Sequence, residues 1–500
     1  MPTARALTLV LLLGSPAGAA DYWVATGGSD AADGLSIPTA WATLGKAASV
    51  VDPGDTVHVL DGGYQGFHLE RSGAPGAPIT FVAEGDAVLV TADNGTTPDG
   101  INLEGASHVV VDGFVVDGRT RAGVRAVLGE HVTIRNCRLG QNGRWGILTG
   151  FVDDVVIEDN EAHHSVIEHG IYVSNSGDRP IIRRNHVHDN HANGIHMNGD
   201  ASLGGDGVIS GALVERNVVH GNGVGGGSGI NMDGVVDGVV RNNLLYDNHA
   251  SGISLYRIDG GAGSSGNLVV NNTVVNAADG RWALNVRDGS TGNVVRNNVL
   301  FTAHAFRGSI TIDAASLAGF VSDNNVVMDR FTTDDGDSVL DLAAWQALGH
   351  DASSVVATPE ELFEVPGVDF HLKAGSPAID LGTLVGAPSE DLDGAPRPVG
   401  AAIDAGAYEA QVVTCGDGAV DPDETCGEPG LGACPEGEVC QGCACVAPPP
   451  CASGVAIARA AVKLRAAPFL ARFRGEAVLG DVDPTATGVR VVIDHAAGGA

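Results

Sequence analysis

Along the body of the chain, apolar and polar side chains alternate with a period of two, in runs of four to six residues. The runs recur in two registers. One opens on glycine followed by isoleucine or valine: Gly100-Ile101, Gly123-Val124, Gly146-Ile147, Gly170-Ile171, Gly194-Ile195, Gly229-Ile230 and Gly252-Ile253. Ala283-Leu284 and Ser309-Ile310 are weaker copies, and the first four intervals are 23, 23, 24 and 24 residues. The other is a β-branched run ending in asparagine, at Asn136, Asn160, Asn185, Asn217, Asn243, Asn298 and Asn325, with Thr273 filling one gap. A period of two marks strands, whereas helical repeats show 3.6. Units this short cannot bury their own apolar face and must stack. The pattern predicts an all-β parallel β-helix. About ten coils, stacked about 4.8 Å apart, make a rod of roughly 50 Å. The asparagines fall at one angular position, where amides bond to one another and to turn backbone.

Open strand edges at either end need covers. Residues 38–50 (PTAWATLGKAASV) predict an N-terminal helical cap, and Asp341–Gly349 a helical patch near the other end. FHLKAGSPAIDLG and AAIDAGAYE read as closing coils that finish near Glu409.

Alternation also says which side chains leave the core. Tyr172, His196, Asn231, Ser254 and Asn285 should form one lengthwise row, with Ser174, Asn198, Asp233, Tyr256 and Arg287 beside it. Arg144-Trp145, Glu168-His169 and Arg281-Trp282 flank this face. Two coils are long: Gly194 to Gly229 is 35 residues and Gly252 to Ala283 is 31. Their extra residues, Asp200–Gly211 and Ile258–Gly266, follow the polar strands and would wall a groove. A long groove suits a polymer. His163, His164, His169, His186, His188, His191 and His196 crowd the middle of the body without the tight spacing of a zinc motif. Asp153-Asp154 and Asp334-Asp335 offer oxygen ligands of the kind calcium takes.

Charge narrows the partners. Against 28 Lys and Arg stand 61 Asp and Glu, a net −33. Such a chain is a poor non-specific ligand for nucleic acid or anionic membrane. Residues 1–20 read as an export signal, with an apolar run from Ala6 to Leu13 and Ala17-Gly18-Ala19 before the cut. No later stretch is apolar enough to span a bilayer. A secreted or cell-surface protein, monomeric, is the expectation. Of eight cysteines, Cys137 is alone in the body and seven lie between Cys415 and Cys451. That density, in an exported chain, reads as a disulfide-stapled module. The domain plan is therefore 1–20 signal peptide, 21–410 β-helix with caps, 411–446 Cys-rich module, 447–451 linker and 452–500 a partial β domain.

DYWVATGGSDAADGLS with AWATLGKA and GDTVHVL, and the stretches EHGIYVSNSGDRPIIRRNHVHDNHANGIHMNGD and GGGSGINMDG through HASGISLYRIDGGAG, resemble secreted right-handed β-helix proteins of the pectate-lyase-like superfamily. The resemblance spans about residues 21–409 and implies right-handed coils. CGDGAVDPDETC resembles the cysteine-rich repeats of secreted myxobacterial proteins. The superfamily includes uronate-polysaccharide lyases, epimerases, hydrolases and non-catalytic surface proteins, and a shared fold does not choose among them.

A lyase of this kind neutralises a uronate carboxylate with calcium or a cationic side chain while a base takes the C5 proton. The body has only Lys46 and Lys373, both in cap regions, so His196 or Tyr256 is the candidate base and Arg257 or Arg287 the carboxylate partner. The catalytic set is then His196, Tyr256, Arg257 and Asp233. Tyr172, His169, Asn198, Asn231, Arg287, Arg281, Trp282, Trp145, Asp200 and Glu168 bind an anionic or neutral polysaccharide, and Ca2+ is the one candidate cofactor. A hydrolase would instead pair Asp233 with Asp200 or Glu168. A C5-epimerase would reuse the lyase groups, although the Asp-Pro-His-Asp motif typical of those enzymes is missing. In a non-catalytic adhesin the polar rows would be solvated surface.

Overall fold

The computed structural model describes residues 18–334 and 336–410, and the backbone of four short strands beyond them. Residues 21–356 wind into three parallel sheets, each built from one strand per coil. Sheet I holds twelve strands, from Asp21–Val24 to Val321–Asp323. Sheet II holds twelve, from Gly62–Gln65 to Val355–Val356, and sheet III eleven, from Phe67–Leu69 to Phe331–Thr332. The stack is thus about twelve turns of a right-handed parallel solenoid rather than ten. At about 4.8 Å per turn it is roughly 55 Å long. Alternation places one aliphatic residue per strand inside, as in the fully buried file Ile147, Ile171, Ile195, Ile230, Ile253 and Leu284 of sheet III.

The turn between sheets I and II carries the asparagine ladder. Asn160, Asn185, Asn217, Asn243, Asn272, Asn298 and Asn325 are buried. In each of the first six, the backbone N–H and Nδ2 both donate to Oδ1 of the next, at 2.8–3.1 Å. The sequence reading is off by one at two rungs: Asn272, not Thr273, fills the gap, and Cys137 rather than Asn136 occupies the first position, its N–H bonding Asn160. The reason lies in the residue before each rung, which turns the corner with positive φ: 53° at Asn136, 54° at Asn271. Asparagine tolerates that region well, so an Asn there mimics a rung. A second ladder, Asn190–Asn222–Asn248, lines the turn between sheets II and III.

The N-terminal cover is smaller than expected. A 3-10 turn, Ile37–Thr39, precedes a helix at Leu44–Val50, whose N-cap Thr43 accepts from Lys46 N–H. Leu44, Ala47 and Ala48 close the first coil. At the far end the helix Leu342–Ala347 buries Trp345, whose Nε1 donates to Asp351 at 2.7 Å.

Residues 357–410 do not form closing coils. After the antiparallel hairpin Phe363–Val365/Asp369–Leu372 the chain turns back along the outside of the solenoid. It packs a second core onto Val218, Leu244, Tyr246 and Val275. It also satisfies the corner residues: Arg216 donates to Leu392 O, Asn271 to Asp404 O, and Asn297 to Thr383 O. A fully buried Arg397–Glu409 pair anchors it. His371 lies between Asp369 Oδ1 (2.6 Å) and Asp393 Oδ2 (3.0 Å), on the Tyr408 ring. Asp393, then Asp369, outweigh desolvation and lift the imidazole to about 9. The folded-state value lies above the ordinary 6.5, so this stabilisation is whole below pH 6.5 and vanishes as pH climbs through about 9. Wild type should therefore lose thermal stability over that window faster than His371→Asn. Parallel melting curves for the two would refute the assignment.

The chain divides at residue 412, and the second unit, Val413–Ala500, is seen as two antiparallel pairs, Val439–Gln441/Ala444–Val446 and Ala460–Lys463/Arg472–Gly475. The expected disulfide-rich module is not supported: no disulfide is found among the described residues, where Cys137 is a free, buried thiol that desolvation pushes up to about 12. The side chains of residues 411–446, the 447–451 linker and the 1–17 part of the expected signal lie outside the described residues.

Candidate functional site

The register of sheet III sets the two outward rows side by side. Tyr172 pairs with His196, His196 with Asn231, Asn231 with Ser254, Ser254 with Asn285 and Asn285 with Thr311. Ser174, Asn198, Asp233 and Tyr256 align next to them. Arg287 follows Val286, which pairs with Leu255, so it stands one coil beyond Tyr256. The two long loops wall the face and hold each other. Ile209–Ser210 pairs with Val235–Val236, Ala201 N–H donates to Asp259 O, and Gly261 N–H to Gly207 O.

The upper half of the face is closed. Arg144 lies 4.6 Å over the Trp145 ring and pairs with Glu168. Trp145 stacks on Tyr172, which stacks on His196 at 4.9 Å. His196 Nδ1 sits 3.0 Å from His169 Nε2. Burial, aided by Arg144, pulls His169 down to about 3; burial, with His169 beside it, holds His196 well below its ordinary value. Tyr172 is pushed up to about 12 by desolvation, against a hydrogen bond from Asn198. This half is a packed, neutral aromatic block.

The acids are spent on the loops. Asp233, 1% exposed, accepts the N–H groups of Ile258, Asp259 and Gly260 at 2.9–3.0 Å. Burial outweighs those donors and raises its pKa. Asp200 caps the 201–203 turn through Ser202 N–H. The calcium expectation meets the same obstacle. Asp154 is held by Arg179, Asp153 takes Asp178 N–H, and Asp334 accepts from Thr332 and Ser338. Asp335, the fourth of these aspartates, lies outside the described residues.

The lower half is open. A cleft of about 470 Å³ is lined by Ser251, Arg281, Trp282, Asn285, Arg287, Arg307 and Thr311. Three guanidinium groups thus meet on one face of a chain with net charge −33. Phe306, 74% exposed, precedes Arg307 in the chain. Tyr256 Oη accepts from Asn231 Nδ2 at 2.8 Å, and Arg257, which follows it, is exposed. Desolvation, then Asp233, raises the Tyr256 phenol above its ordinary value. The sequence reading includes Arg281, Trp282 and Arg287 but misses Arg307, Thr311 and Ser251. A signal existed: Leu284 pairs with Ile310, and each is preceded by an arginine three residues earlier. The same offset puts Arg144-Trp145 before Ile147, five coils away in the same file.

The polar face thus runs lengthwise along a parallel solenoid and is walled by loops. Residues 94–203 and, overlapping them, 168–329 match the family described as the right handed beta helix region. Among solved structures, the pectate lyase Pel9A is 19% identical over 78% of this chain and 96% of its own, with a TM-score of 0.49. A rhamnogalacturonan lyase is 14% identical over 69% and 91%, at 0.44. An alginate lyase from Paenibacillus sp. str. FPU-7 is 17% identical over 53% and 94%, at 0.38. At such identities the likeness is one of fold. No curated protein matches the chain. The family matches end at residue 329, and nothing supports the resemblance of the cysteine-rich segment to myxobacterial repeats.

Proposed function

We propose that the chain is an exported polysaccharide lyase that cleaves a uronate-containing polymer by β-elimination at the lower half of sheet III. The observation that carries this is the convergence of Arg281, Arg287 and Arg307 with Trp282 and Asn285 in one cleft of a strongly acidic protein. A net −33 chain repels polyanions unless cations gather at its groove, and three arginines line this one. Guanidinium forks match a carboxylate bidentately, and neutralising it acidifies the C5–H beside it. Phe306 offers an apolar platform for a sugar ring.

Tyr256 is the proton carrier in this reading, because His196 lies three coils from Asn285, about 14 Å along the sheet, and is enclosed by His169 and Tyr172. As phenolate, held by the Asn231 amide at 2.8 Å, it takes the C5 proton. The C4–O bond breaks, a C4=C5 double bond forms, and the same O–H returns the proton to the departing oxygen. Protons balance, and the tyrosine ends as it began. Since burial beside Asp233 raises the phenol, the active form grows with alkalinity, and kcat/KM should climb with pH through the alkaline range. The chain should be incubated with a panel of polyuronates and neutral polysaccharides while ultraviolet absorbance of unsaturated products is followed. Absorbance should appear with a polyuronate and vanish in Tyr256→Phe, which should still bind. New reducing ends without absorbance would sink elimination in favour of hydrolysis.

A further inference from the structure

The outer face of sheet II carries a feature the sheet III groove does not use. His186 and His188 alternate outward on one strand, with Glu161 and His163 one coil before them and His220 one coil after. The rings of His163, His188, His220 and Tyr246 stack in file at 4.6–5.2 Å, all within 16° of parallel. Donor atoms of Glu161, His186 and His188 all lie within 4.8 Å of one another. His220 Nε2 is 2.8 Å from His186 Nε2, and His188 Nε2 is 3.2 Å from Glu161 Oε1. Two nitrogens here are buried without a hydrogen-bond partner, His186 Nδ1 and His163 Nε2, the latter on a residue only 5% exposed.

We infer that this face is a transition-metal site, taking a borderline divalent ion, Zn2+ by preference, on Glu161, His186 and His188, with His220 against His186 beside it. Zinc binds imidazole nitrogen at 2.0–2.1 Å, so tetrahedral ligands sit about 3.3 Å apart. The 3.2 Å between His188 Nε2 and Glu161 Oε1 already matches that spacing, and the donor atoms of all three residues lie within 4.8 Å of one another. Two imidazoles and one carboxylate are donors such ions favour, with the fourth position left for water, unlike the all-oxygen set calcium takes. The ligands come from two successive coils, so the ion would rivet them together.

The test uses the full chain, stripped with a chelator and titrated with Co2+, then with Zn2+ as competitor. Wild type should bind one equivalent more Co2+ than His186→Asn/His188→Asn, with an added visible d–d band that Zn2+ abolishes. Thiolates elsewhere in the chain add a sulfur band that these substitutions leave unchanged. Losing a support behind a ligand alone weakens binding 10–100-fold, so losing a ligand should exceed about 100-fold. Glu161→Gln should weaken it too, whereas His131→Asn, at the separate His108–Glu130–His131 group, should not. Zn2+ should raise the melting temperature of wild type only. If the pair fails to fold, the two single histidine variants give the same reading. Equal stoichiometry and spectra in wild type and folded variants overturn the site.

Discussion

Arg281→Ala, Arg287→Ala and Arg307→Ala should each cut kcat/KM on a polyuronate about 10- to 100-fold, with circular dichroism and melting temperature near those of wild type. The size follows from a charge-assisted hydrogen bond, worth about 1.5–3 kcal/mol. All three side chains line one cleft, so they act on one carboxylate or on neighbours along the polymer. Their effects should then be less than additive in combination. Lysine in place of arginine should recover only part of the loss, because it cannot form the bidentate fork. Raising ionic strength should weaken wild-type binding far more than that of the triple alanine variant. If all three single variants stay within twofold of wild type, the cleft is not where the polymer sits.

The second large effect concerns the ladder. Asn243→Ala should lower stability by about 3–5 kcal/mol, read from urea unfolding of the solenoid by far-ultraviolet circular dichroism. Its side chain gives hydrogen bonds to Val214 O, Arg241 O and Asn272 Oδ1, and accepts the Asn217 N–H and Nδ2. Alanine strands several of these in a site with no exposure, and each orphaned buried group costs about 1–3 kcal/mol. Asn136→Ala, at an exposed corner one residue before the first rung, should cost far less. A loss below about 1 kcal/mol at Asn243 would mean that water or relaxation replaces the rung.

The contrast between those two asparagines shows what was legible in the sequence. The solenoid, the inward aliphatic file and the pairing Tyr172–His196–Asn231–Ser254–Asn285 all follow from a period of two repeated every coil. Local chemistry at one-residue resolution does not, because corner and rung both accept asparagine. The role of residues 357–410 was also illegible. FHL and AID alternate like strands, but their apolar side chains serve a second core on the outside of the stack. Burial of Asp233 depends on a loop whose path the repeat does not encode. Arg307 was missed because its coil is a degraded copy, and only the register with Leu284 reveals its place.

The returning segment has a mechanical consequence. It bonds to coil corners at Arg216, Asn242, Asn271, Asn297 and Asn324, and so splints the C-terminal half of the rod lengthwise. A stacked repeat frays from its ends one turn at a time. Here the far end is stitched to turns well inside the stack and cannot peel without tearing away that brace. The arginine cleft belongs to the braced half, which gives it the stiff frame that a long, regularly spaced ligand requires.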